Sequence, residues 1–143
     1  MIILLADNFI LKTKLLKEMF YADFLFYKES CKSITGLEYC KLPFGLVPDQ
    51  FETILCSGLE EDIIDYEYVS NSSREYYKIT AKKDFNKSTF TEDEMKVLNY
   101  VKEYFKNYNS NDIVEFSHKE KAFLETKKCD KISYDYSFDI TSL

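Results

Sequence analysis

The chain has 143 residues, a formal net charge of −6, and a composition that is 45% hydrophobic and 17% aromatic. Such a chain can bury one sizeable core and is too aromatic to stay disordered. Its acidic balance excludes a globally basic, phosphate-binding surface, and no apolar run approaches the roughly 18 residues of a membrane span.

These limits predict a single cytoplasmic domain over residues 1–143 that engages neither a membrane nor, directly, nucleic acid. The opening MIILLA is a short apolar stretch before Asp7, without the basic flank or the length of a secretory leader. Lys12, Lys14 and Lys17 near the first helix, and Lys82 with Lys83, read as solvated faces. Cys31, Cys40, Cys56 and Cys129 lack the paired spacing of zinc sites and read as reduced structural thiols.

Leu15, Leu16, Met19, Phe20 and Tyr27 recur at helical spacing and predict a helix over Lys12–Lys28, with Lys17, Glu18 and Lys28 on its wetter side. Asp23 shares the apolar face and therefore needs a hydrogen-bonding partner. Ser33–Gly36 breaks the pattern, and the alternation of Leu37–Leu42 predicts a short extended segment ended by Pro43 and Gly45. Pro48 suits the first turn of a following helix through Phe51, Ile54 and Leu55.

Period-two alternation through Ile64, Tyr66 and Tyr68, a turn at Asn71–Ser73, and renewed alternation through Tyr77, Ile79 and Ala81 predict a β-hairpin. Its tyrosines suit core or cross-strand packing on one face and a contact surface on the other. Thr91 and Glu94 form a capping box that opens a helix carrying Met95, Leu98, Val101 and Phe105. Asn107–Ser110 ends that helix before a short one near Asp112–Phe116. Ser117 and Glu120 repeat the capping-box pattern, predicting a helix from His118, and Ile132–Tyr136 alternates as a short strand or extended tail. The fold class is α+β, mainly helical: one compact domain of about five helices, a small antiparallel β-hairpin and short extended segments.

Nothing in this pattern assigns catalysis. His118 is the single histidine and falls in the first turn of a capped helix, where packing or a local hydrogen bond is its simplest role. Acidic residues are abundant, but the sequence places no two of them at a workable separation for acid–base chemistry, and no Walker motif, dinucleotide-binding loop or H-E-x-x-H pattern is present. The reading is therefore not an enzyme, with no catalytic residue, no cofactor and no metal site.

Four blocks carry a resemblance: KLLKEMFYADFLFYK from Lys14, SITGLEY from Ser33, LPFGLVP from Leu42 and SHKEKA from Ser117. In combination they resemble the SocA-like, or Panacea, antitoxin domain, whose members read KLxKLLFYADFLxYK, SITGLxY, LPxGPVP and SHKEKA. Leu46 stands where the family pattern has the first proline of GPVP, and Phe123 where tryptophan is common. The resemblance implies a toxin-neutralising protein that works by binding rather than turnover and is encoded beside its toxin. Some similar proteins carry a DNA-binding region before the domain; this chain starts almost at the domain, so the stand-alone form is expected.

The partner implied is a protein toxin. One alternative is a phage or mobile-element inhibitor of a host defence effector on the same scaffold; others are a proteolytic adaptor or an uncharacterised enzyme. Aromatic residues anchor many interfaces, and an acidic surface would steer a basic partner. The candidate contact residues are Tyr66, Tyr68, Tyr76 and Tyr77 on the hairpin and Leu46 in the GLVP turn.

Overall fold

The computed structural model describes residues 1–6, 8–141 and 143. The elements run α1 (Ile2–Leu5), β1 (Ile10–Leu11), α2 (Lys12–Ser30), β2 (Tyr39–Leu42), β3 (Gly45–Pro48), α3 (Phe51–Glu60), β4 (Ile64–Asn71), β5 (Arg74–Ala81), α4 (Glu92–Tyr104), α5 (Ser110–Ser117) and α6 (Lys121–Glu125). Short 3-10 turns lie at Lys87–Thr89 and Tyr134–Asp139. The architecture is α+β and mainly helical, with two small antiparallel sheets.

Helix α2 is the axis of the molecule, and every residue from Leu15 to Leu25 is buried. Strands β1, β3 and β5, helices α1, α4 and α5 and the Tyr134–Asp139 turn all pack on it. That enclosure overturns the expected wet side: Lys17 and Glu18 are only 1% and 2% exposed. One core side joins Phe20, Tyr21 and Phe24 to Leu98, Phe105 and Ile113, and the other joins Leu15, Leu16 and Met19 to Phe51, Leu55, Ile64 and Ile79. Each such large apolar side chain contributes about 1.5–3 kcal/mol when fully buried, so this one helix organises most of the hydrophobic stabilisation. Its last turn closes on Cys31 in the left-handed region, φ 55°, whose N–H donates to the Tyr27 carbonyl.

Asp23 finds the partners its burial demands. It accepts the Thr35 N–H at 2.9 Å, the Thr35 hydroxyl, and the Tyr39 hydroxyl at 2.7 Å. One carboxylate thus ties the Ser33–Gly36 loop and the first residue of β2 to the middle of α2.

Strands β2 and β3 pair with Cys40 opposite Val47 and Tyr39 opposite Pro48. Pro48 therefore ends a strand instead of opening α3, correcting the expectation. Asp49 donates its N–H to the Glu38 carbonyl, so the antiparallel alternation gives Cys40–Val47 the cross-strand bonds and turns the backbone of Leu46 and Pro48 away from β2. A proline lacking its N–H is tolerated there because no ladder bond is lost. On its other edge β2 meets the C-terminal segment: Lys41 N–H donates to Asp130, Cys129 to Lys41, and Ile132 to Tyr39. Where a short strand or extended tail was expected at Ile132–Tyr136, the chain instead makes a bridge at Lys131 followed by a 3-10 turn.

The expected hairpin forms over Ile64–Asn71 and Arg74–Ala81, and the small sheet has the order β1-β5-β4. The Thr91–Glu94 capping box is complete in both directions. A second complete box, Asn109 with Asp112, starts α5. The one expected at Ser117–Glu120 does not form: Ser117 ends α5, its hydroxyl donates back to the Val114 carbonyl at 2.9 Å, and Glu120 is the N-cap of α6.

Candidate functional site

The family-like blocks converge on a buried polar seam between α2, β3 and the α5–α6 junction. Lys17 donates to the Leu46 carbonyl at 3.0 Å, an acceptor free because that carbonyl faces away from β2. Burial lowers the amine's pKa to about 7. Gly45, at φ +111°, leaves the space that the lysine fills, and Ser117 closes the same corner. Tyr21 donates to Glu120 at 3.1 Å, which carries the SHKEKA block back to α2.

His118 lies beside this seam, stacked on Phe123 with ring centroids 4.0 Å apart. Its Nε2 is buried without a hydrogen-bond partner. Desolvation lowers its pKa, helped by the charges of Lys17 and Lys41. Lys41 caps the other face of Phe123, 4.3 Å from the ring centroid, and donates to the carbonyls of Phe123 and Thr126. The arrangement holds a helix junction together. Among the described residues no cluster of His, Cys, Asp and Glu has the arrangement of a metal site.

The accessible chemistry is on the β4–β5 hairpin. Tyr66 and Tyr77 stack with centroids 5.0 Å apart and planes 8° apart, and Tyr68 lies against the other side of Tyr77, also at 5.0 Å. Lys12 Nζ sits 5.4 Å from the Tyr77 centroid and 5.9 Å from that of Tyr66, and pairs with Glu52 of α3. Burial opposes the Lys12 charge, but hydrogen bonds to Glu52 and Tyr66 outweigh it and raise the pKa. The ladder is therefore anchored at its inner end, while Tyr68 and Tyr77 remain 51% and 40% exposed.

The structure gathers Tyr66, Tyr68 and Tyr77 on one hairpin face and puts Tyr76, opposite Val69, on the other. Leu46 does not join them. It is fully buried in the aromatic core, so its side chain is not a contact surface. The exposed tip of the β2–β3 turn is instead Phe44, at 77%, the apolar residue between Pro43 and Gly45. The basic group near the first helix is likewise spent internally. Lys17 is buried, and Lys14 donates to the carbonyls of Lys106 and Tyr108.

The family described as antitoxin SocA-like, Panacea domain, matches residues 15–123. That span runs from the first buried leucine of α2 to the phenylalanine under His118, and takes in the buried seam and the hairpin. The chain belongs to the SocA-like, Panacea-domain family. No curated protein and no solved structure matches the chain. Family membership makes it antitoxin-like in general role. A proline at Leu46, as in the pattern this chain resembles, would cost no ladder bond, because the β2–β3 pairing does not use the N–H at that position. Among the described residues, no helix is long and apolar enough to cross a membrane.

Proposed function

We propose that this Panacea-domain protein neutralises a protein toxin by direct, stoichiometric binding, without turnover, and that the hairpin tyrosines form the contact. Family membership supports the antitoxin role. The observation that carries the choice of surface is the Tyr66–Tyr77–Tyr68 stack, fixed at one end by Lys12 and open at the other. Aromatic side chains held rigid before association lose little conformational entropy on binding, and tyrosine is enriched among residues that dominate interface energy. The net charge of −6 favours a basic toxin and speeds its encounter.

The test is growth rescue. The neighbouring gene whose product arrests growth is induced with and without this chain, and the two proteins are then co-purified. Neutralisation by binding requires rescue and a complex of fixed stoichiometry whose association rate falls with added salt. Rescue without a complex, or association indifferent to salt, would count against the mechanism or against its electrostatic part, respectively. Recovery of a host defence nuclease in place of a toxin would favour the inhibitor role on the same scaffold.

A further inference from the structure

The outer edge of β4 pairs with no strand among the described residues. Lys82 donates its N–H to the Ile63 carbonyl, so by antiparallel alternation Asp65, Glu67 and Val69 turn their backbone groups to β5, while those of Tyr66, Tyr68 and Ser70 point outward. β4 spans eight residues in unbroken register. It has no proline, lysine or bulge, the devices by which exposed edges are commonly protected. Its only charged side chains are Asp65 and Glu67, both exposed, on the face opposite Tyr66 and Tyr68.

We propose that β4 is a docking edge that accepts an extended segment of the partner protein as an added strand, with apolar or aromatic residues alternating with lysine or arginine. The outward amides and carbonyls of Tyr66, Tyr68 and Ser70 supply the main-chain bonds. Alternate side chains of the incoming strand then fall beside the tyrosines on one face and beside Asp65 and Glu67 on the other. Opposite charges and aromatic pairs in neighbouring strands are mutually stabilising, so the edge selects for that alternation. The inference rests on the binding role proposed above and specifies its geometry.

The experiment uses the full chain and the growth-arresting product of the neighbouring gene. Tyr68→Ala removes the ring and keeps the outward N–H; Tyr68→Pro removes both, and leaves the β4–β5 ladder bonds in place because residue 68 is not among those turned to β5. Strand addition predicts that Tyr68→Pro weakens binding about tenfold or more beyond Tyr68→Ala. A second reading needs no variant: in the wild-type complex, amide hydrogen exchange at Tyr66, Tyr68 and Ser70 slows about tenfold or more relative to the free chain.

Equal binding by the two variants, with unchanged exchange at those amides, overturns strand addition and leaves neutralisation by binding intact. Failure of the wild-type chain to bind or rescue overturns both. If the free chain is already a dimer protecting these amides, the edge belongs to a second copy and the proposal is overturned. Should Tyr68→Pro not fold, the exchange measurement decides alone.

Discussion

Gly45 and Lys17 share one volume: a methyl group built on Gly45 would lie 2.6 Å from Lys17 Nζ and 2.7 Å from its Cε. The glycine lies at one end of β3 and the lysine in the second turn of α2, so the missing side chain of one is the space for the buried amine of the other. Gly45→Ala is expected to destabilise by about 2–4 kcal/mol, from strain at φ +111° and displacement of a buried amine from the Leu46 carbonyl. Gly36→Ala, at φ +71° with nothing within 4 Å, should cost only about 1–2 kcal/mol. Urea midpoints of the two variants make the comparison.

Asp23→Ala should destabilise by about 3 kcal/mol, because it strips partners from the buried Tyr39 hydroxyl and from Thr35 at once. Tyr39→Phe, which removes one donor from the same carboxylate, should cost about 1 kcal/mol. Chemical denaturation measures both, and hydrogen exchange over Ser33–Gly36 should rise in the first.

Two neighbouring buried groups give opposite pH slopes. Burial raises the Glu18 pKa to about 7, against the pull of Lys14 and Lys102. Its folded pKa exceeds its unfolded one, so its contribution is full below the ordinary carboxylate range and is lost as pH rises through 7. Lys17 is the reverse: its folded pKa, near 7, is depressed, so its contribution is full above the ordinary lysine range and is lost as pH falls through 7. Glu18→Gln should remove a decline on the order of 3 kcal/mol between pH 4.5 and 7, and Lys17→Met should flatten the rise above pH 7. Denaturation at a series of pH values, wild type against each variant, checks both signs.

His118→Ala should lower stability by about 1 kcal/mol through loss of its stacking on Phe123 and leave partner binding unchanged once the variant is folded. Thermal melting and binding to the neighbouring-gene product are the paired readouts. Loss of function in a folded His118→Ala protein would reopen an enzymatic role.

The periodic parts of the chain were readable before the structure because their signals are local. Helix α2, the tyrosine hairpin and the Thr91–Glu94 box depend on residues within a few positions of one another. Lys17 and Glu18 are hard to place locally because a charged residue ordinarily marks a wet side, whereas a helix with apolar residues on every face is enclosed. Pro48 is ambiguous in the sequence because its tolerance in β3 depends on cross-strand parity, which only the pairing reveals. Ser117 fits a capping box, but α5 runs on to it from the Asn109–Asp112 box, whose Asn-x-x-Asp form lies outside the usual pattern. Leu46 read as a turn residue because of its Gly and Pro neighbours, and nothing local signals that its side chain enters the aromatic core.

The most direct measurement is the native mass of the purified chain mixed with the growth-arresting product of the neighbouring gene, repeated with Tyr68→Ala. Neutralisation through the hairpin predicts a complex of fixed stoichiometry that survives purification and is weakened by the substitution while the variant stays folded. Absence of any complex under conditions where growth is rescued would contradict it.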